Sequence, residues 1–353
     1  MINNCSLSLN DGSKRKNMLG IRNKKILLNP GRLIFTILIF CLPLNAIFAK
    51  PDASVFSSLS EKISIPNKNK GYKDIVAYGD QFLAVGTVGK IDCINKSGEI
   101  KPIVNTFSND LNGVIFSNQT VFAVGTEGTI LTSSDGKACQ KMVSGTDKNI
   151  NGITSFNGNL IGSADDGTIL IMENENSWKN IQLPLKGNIV SVSAGNSFCI
   201  GVTNKGEIIK TTDGINWDIF DYNKEYAGYN QPCSFKNVLI TTNRIAIIGQ
   251  HEDGSPVVLF SSLGKVWTER SVNYTDDRGI IQLVTNLPND ICYDAAGDQF
   301  FLVCDNGQVL NLPSCTKCNR SFTINEHNLY GIMHNENTLM IVGDDYSVSV
   351  IDY

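Results

Sequence analysis

Between Asp221 and Arg278 the chain concentrates groups that could do chemistry. Glu225, Glu252, Asp253, Asp276 and Asp277 are carboxylates. Two carboxylates at a suitable separation are what glycoside hydrolysis requires, one as acid and one as base or nucleophile. Beside them stand Tyr222, Tyr226, Tyr229 and Tyr274, which would give large rigid contact area with a hydroxyl handle, a composition suited to protein or sugar recognition. His251 and Arg278 complete the cluster. Binding is the favoured reading, because acidic loop residues are ordinarily solvated and no Ser-His-Asp order, phosphate loop or dinucleotide glycine pattern occurs. No catalytic set, metal site or cofactor is expected.

Cys315-Thr316-Lys317-Cys318 is the sharpest cysteine motif. C-x-x-C serves as a redox pair or as half a zinc site. No second pair exists, and His327 and His334 are not spaced to complete a zinc site. A local staple is therefore expected, with Cys315 and Cys318 as a disulfide candidate.

These residues are positioned by a repeat. Gly89, Gly128, Gly167 and Gly206 follow one another at 39-residue intervals. Eleven residues after each come Ile100, Cys139, Trp178 and Trp217. Gly254 and Gly307 continue the series, with Trp267 thirteen residues on and Cys318 eleven on, and a last copy runs from Leu329 to Val350. Each unit reads as apolar run, Gly turn, apolar run and Asp-Gly turn, as in Val121 to Gly136. That is a β-meander. A period near 40 with four strands per unit predicts an all-β, seven-bladed β-propeller of four-stranded antiparallel blades. The seventh copy has three strands, and the alternating run Ile63-Ser64-Ile65-Pro66 is expected to join it and close the ring.

The period fails in one region. Gly206 to Gly254 is 48 residues and Gly254 to Gly307 is 53. The additions fall at Asp221–Asn230, His251–Pro256 and Asn273–Arg278. In a propeller, blade-to-blade connections and second-to-third-strand turns emerge on one face, so the three insertions are expected to converge around blade five as a binding face.

Thr211-Thr212-Asp213-Gly214-Ile215-Asn216-Trp217 resembles the Asp-box, or BNR repeat, of sialidases and related propellers. Ser133-Ser134-Asp135-Gly136 matches it with Cys139 in place of Trp, and Ser261 to Trp267 keeps the frame without the Asp. The V-G-T-x-G run and the spacing over residues 55–353 most resemble the photosystem II assembly-factor propellers. The resemblance implies a structural role for Asp135, Asp213, Gly214, Trp217 and Trp267 on the turn after the third strand, away from the functional face. The sialidase arginine triad is not matched by Arg244, Arg270, Arg278 and Arg320, the four arginines that follow residue 49.

The first 49 residues differ from the rest. Seven basic residues face the single acid Asp11, and Leu33–Leu42 is apolar, followed by Pro43 and Ala46-Ile47-Phe48-Ala49. This order predicts a signal peptide over residues 1–49, a single propeller domain over 50–353, export to the periplasm or medium, and no stable membrane span after cleavage. Cleavage would take the formal net charge from −4 to −10. Such a surface repels phosphate backbones, so nucleic acid is not an expected partner. The expected function is an exported, non-catalytic scaffold or assembly factor that binds a protein. A carbohydrate-binding propeller and a divergent sialidase-like glycosidase are the alternatives.

Overall fold

The computed structural model describes residues 70–174, 177–270, 272–276, 278–313 and 320–352. The proposed signal peptide, the Ile63–Pro66 strand, Asp277 and the Cys315–Cys318 pair lie outside the described residues.

Seven antiparallel meanders succeed one another in chain order. Blade one comprises Tyr72–Tyr78, Gln81–Gly86, Ile91–Ile94 and Ile100–Pro102. Blades two to six begin at Leu111, Ile150, Ile189, Cys233 and Pro288 and have four strands each. Blade seven, from Leu329 to Asp352, has three strands among the described residues. The repeat therefore corresponds to a seven-bladed propeller.

The second strand of each blade lies between two neighbours and is apolar on both faces. Phe82-Leu83-Ala84-Val85 is wholly buried, as is Val121-Phe122-Ala123-Val124. Alternate residues serve the cores on either side. Leu83 and Val85 join Leu111, Val114 and Val121 between blades one and two, whereas Phe82 and Ala84 join Met340 and Val342 between blades seven and one. A single blade could not bury both faces, which is why the unit must repeat. The seam between blades seven and one is further held by an edge-on pair of Tyr72 and Tyr346 rings and by Asp345 N donating to Lys70 O at 2.8 Å.

The ruler glycines are required by backbone conformation and by space. Gly128 has φ +61°, and a Cβ there would collide with the carbonyl oxygen of Thr146. Gly89 and Gly307 meet Phe107 and Asn325 carbonyls in the same way. Gly254 keeps a positive φ of +83° but faces open space, so it marks a turn without the close approach.

Every innermost strand carries one β-bulge, one residue past its first except in blade five, whose strand starts two residues earlier, at Cys233. The register skips between Tyr72 and Asp74, Leu111 and Gly113, Ile189 and Ser191, Phe235 and Asn237, Pro288 and Asp290, and Leu329 and Gly331. Blade three does the same between Ile150 and Gly152. The extra residue of a bulge is unpaired and re-aims its side chain. This device builds the site described next.

Candidate binding face

The seven bulged residues are Lys73, Asn112, Asn151, Val190, Lys236, Asn289 and Tyr330, one from each blade. All seven line one cavity of about 400 Å³. Lys70, Thr87 and Asp344 also line it; Thr87 and Asp344 sit in second-to-third-strand turns, so the cavity opens on the face that carries those turns. It is the mouth of the central channel.

The ring is laced sideways. Asn112 Nδ2 donates to Ile150 O at 3.0 Å, Asn151 Nδ2 to Ile189 O at 3.1 Å, and Asn289 Nδ2 to Leu329 O at 3.0 Å. Each bond crosses to the first strand of the following blade. Lys73 Nζ donates to Asn112 Oδ1 at 3.0 Å and pairs with Asp110 at 3.2 Å. Lys236 Nζ donates to Asn289 Oδ1 at 2.7 Å. Burial pushes the Lys236 ammonium pKa down, and the charge of Asp305 opposes that shift. Sequence reasoning missed this ring, although Lys73, Asn112, Asn151 and Val190 keep the 39-residue interval.

One residue deeper, Asp74 and Asp290 join adjacent blades. Asp74 accepts from Val114 N at 2.8 Å and Asp290 from Ile332 N at 2.8 Å. Asn237 Nδ2 also donates to Asp290, at 2.6 Å. Burial lifts Asp74 to about 7. Burial, and then the charge of Asp74, lifts Asp290 to about 8.

The insertions of blade five fold largely onto their own blade. Asp221 caps a one-turn helix α1 (Tyr222–Glu225), its carboxylate accepting from Lys224 N at 3.1 Å. Tyr222 is only 1% exposed. Its ring stacks on Tyr226 at 4.6 Å, and its hydroxyl accepts from Asn230 Nδ2 at 2.7 Å. The Tyr226 hydroxyl donates to Trp267 O at 3.2 Å and accepts from Trp267 N at 3.3 Å. Tyr222 and Tyr226 are thus not free platforms: they fill the space beneath a longer connection that must be packed. Tyr274 packs partly against the core between blades five and six. Tyr229 alone of the four stands out, 85% exposed.

The charged candidates divide in the same way. Glu252 is exposed, and its N–H donates to Pro232 O at 3.0 Å, joining the first insertion to the second. His251 is half-buried, Nε2 standing 2.9 Å from Glu269 Oε1 and Nδ1 3.5 Å from Cys233 Sγ. Asp253 accepts from Ser255 N at 2.9 Å. Asp276 accepts from Arg278 N at 3.0 Å and Ile280 N at 2.9 Å, and pairs with the Arg278 guanidinium at 2.9 Å. These bonds hold both aspartates below the usual carboxylate range, Asp253 chiefly through Ser255 and Asp276 chiefly through Ile280 N. Asp253 and Asp276 build turns, an arrangement that a raised-pKa glycosidase acid does not share. The third insertion is a separate hairpin, Asn273–Thr275 with Ile281–Leu283, lying beside the outer strand of blade six. Ile281 and Leu283 on it are 69% and 73% exposed.

On the opposite face, Asp213 accepts from Ile215 N and Asn216 N, both at 2.8 Å, while Thr211 Oγ1 accepts from Gly214 N at 2.9 Å. Asp135 accepts from Lys137 N and Ala138 N at 2.9 and 3.3 Å. These amides hold Asp213 well below its ordinary pKa and lower that of Asp135. Trp217 and Trp267 pack into the cores between blades three and four and between blades four and five. These residues are scaffold. Among the described residues, Cys93, Cys139, Cys199, Cys233 and Cys292 are unbridged, and no cluster of His, Cys, Asp and Glu suits a metal ion.

No protein-family model matches this sequence, and no curated protein matches it. Solved structures do. One described as YCF48 bound to D1 peptide superposes with a TM-score of 0.61 at 15% identity, covering 82% of this chain and 93% of the other. YCF48 from Cyanidioschyzon merolae gives 0.58 at 14%, covering 80% and 95%. The WD40 propeller domain of Doa1 gives 0.61 at 11%, covering 80% and 93%. At these identities the likeness is one of fold, and the chain shares with all three the architecture of a β-propeller.

Proposed function

We propose that this chain is an exported, non-catalytic propeller that binds a protein partner on the channel-mouth face, as a scaffold or assembly factor. The observation that carries the reading is the placement of seven bulged residues, one per blade, around a single mouth. Three of these residues lace neighbouring blades, while Lys73, Lys236 and Tyr330 bring polar groups to the same mouth. The exposed Tyr229 on the connection into blade five, and Ile281 and Leu283 on the hairpin between blades five and six, add apolar anchor groups of the kind protein interfaces use. A propeller of similar fold has been solved with a bound peptide, which supports a peptide or protein ligand here.

Capture from the native envelope tests this. Deleting the blade-five connection is unsuitable because Tyr222 belongs to the core. The combined surface variant Tyr229→Ser, Ile281→Ser, Leu283→Ser should lose the partner while keeping its melting temperature. Undiminished capture by that variant would move the binding face elsewhere. A glycan ligand would have to be held by Tyr229 with Tyr222 buried and Tyr226 stacked on it, and a blank glycan array is the expected result.

A further inference from the structure

The mouth has one kind of donor left over. Asn151 commits its amide nitrogen to Ile189 O and to Asp165, and Asn289 commits its own to Leu329 O and to Asp305. Asn112 turns its nitrogen to Ile150 O. The oxygens of Asn112 and Asn289 are taken by the two lysines. Val190 has nothing to offer, and the Tyr330 hydroxyl is engaged by Asn328 Nδ2 at 3.5 Å and by the Asp344 carboxylate. What remains is ammonium N–H. An ammonium carries three donors; Lys73 commits two, to Asp110 and Asn112, and Lys236 commits one, to Asn289. Lys73 already has a carboxylate partner. Lys236 has none within 4.0 Å among the described residues. It is a half-buried cation held by a neutral amide, in a cavity open to solvent on one side. The charge of Asp305 acts on it, and Asp344 also lines the cavity.

A half-buried ammonium with spare donors and no carboxylate within 4.0 Å is suited to an incoming anion. We infer that the channel mouth is a carboxylate-binding site, with Lys236 as the principal contact and Lys73 as the second, taking an acidic side chain or chain terminus of the protein partner. The identification of the ligand as part of a protein rests on the function proposed above; the carboxylate chemistry rests on the mouth alone. A cavity of about 400 Å³ admits a side chain or the last residues of a peptide, not a folded domain. The asparagine lacing fixes the rim, so the site is preorganised and little ordering is required on binding.

The test uses the mature protein carrying 13C-labelled lysine, with the Lys236 signal assigned by its disappearance in Lys236→Met. Three probes are titrated: acetyl-Ala-Glu-Ala-amide, acetyl-Ala-Ala-Ala with a free carboxyl terminus, and acetyl-Ala-Gln-Ala-amide. The expected result is a saturable shift of the Lys236 signal with one or both carboxylate probes and none with the glutamine probe. Which carboxylate probe acts distinguishes side chain from terminus. Lys236→Met should weaken the effective probe by roughly tenfold or more, since a charge-assisted contact is worth about 1.5–3 kcal/mol, with Lys73 signals reporting the residual binding. Equal response to the glutamine probe, no response at Lys236, or unchanged affinity in a Lys236→Met protein that melts normally would each overturn the inference. If that variant still captures the partner fully, the carboxylate site is wrong and the scaffold reading stands. If the probes bind but no partner is ever captured, the reverse holds.

Discussion

Lys73 and Asn112 are 39 residues apart in the chain and 3.0 Å apart in space, Nζ to Oδ1 across the boundary between blades one and two. The interval that defines the repeat also defines the distance around the ring. A bulge at the same point in successive inner strands places each blade's extra residue beside that of the next blade, which lets Lys73 reach Asn112 and Lys236 reach Asn289. The mouth is therefore a product of the repeat, and its chemistry is set by which blades depart from asparagine.

The ruler glycines give the first prediction. Gly128→Ala forces an L-residue to φ +61° and drives a Cβ into Thr146 O, so destabilisation of about 2 kcal/mol or more is expected. Gly254→Ala meets open space and should cost about 1 kcal/mol, the conformational penalty alone. Urea unfolding of the two variants measures the difference.

The tyrosines of blade five separate by role. Tyr222→Ala removes a buried, stacked ring and should cost about 3–5 kcal/mol. Tyr226→Phe loses the hydroxyl that bridges Trp267 N and O, which is worth about 1 kcal/mol. Tyr229→Ala should stay within about 0.5 kcal/mol of the parent protein. Equal effects for Tyr222 and Tyr229 would contradict the packing described.

Asp74 and Asp290 impose a pH dependence. Their folded pKa values, about 7 and about 8, lie above the ordinary carboxylate value. The folded state thus binds protons more tightly than the unfolded chain, and this contribution to stability is full at pH below about 4 and fades as pH rises toward 8. Melting temperature should fall between pH 5 and pH 9. Asp290→Asn loses an acceptor, so it lowers stability throughout, but it should flatten that slope. An unchanged slope in Asp290→Asn and Asp74→Asn alike would contradict the assignment.

Ring closure gives a prediction about residues outside those described. Ile63-Ser64-Ile65-Pro66 matches Ile181-Gln182-Leu183-Pro184, where the outer strand of blade three ends and Leu183 N donates to Gly167 O at 2.9 Å. Ile65 precedes Tyr72 by seven residues; Leu183 precedes Ile189 by six and Ile103 precedes Leu111 by eight. Deleting residues 60–66 should lower the melting temperature by about 5 °C or more, given about 2–4 °C per kcal/mol in a domain of this size. An unchanged melting temperature would show that blade seven closes without that strand.

The architecture was legible because turn glycines recur where backbones approach closely, and Gly128 and Gly307 admit no other residue. The insertions were legible as lengths, because Gly206 to Gly254 breaks the interval. Their packing was not, since nothing local distinguishes Tyr222, whose ring is drawn into the core by Phe235 and Tyr226, from Tyr229 seven residues later. The channel mouth escaped for a different reason. A bulge is an event between two strands, and its extra residue carries no signature in its own strand. Lys236 reads as a solvent-facing lysine until the register with Ile245–His251 shows it to be unpaired and turned into the channel.

The central claim is that a protein partner binds on the channel-mouth face. A photo-crosslinking amino acid placed in turn at Tyr330 on the mouth, Tyr229 on the connection into blade five and Leu263 on the opposite face tests it directly in the source cells. Crosslinked partner is expected from positions 330 and 229 and none from 263. Crosslinking from 263 alone would contradict it.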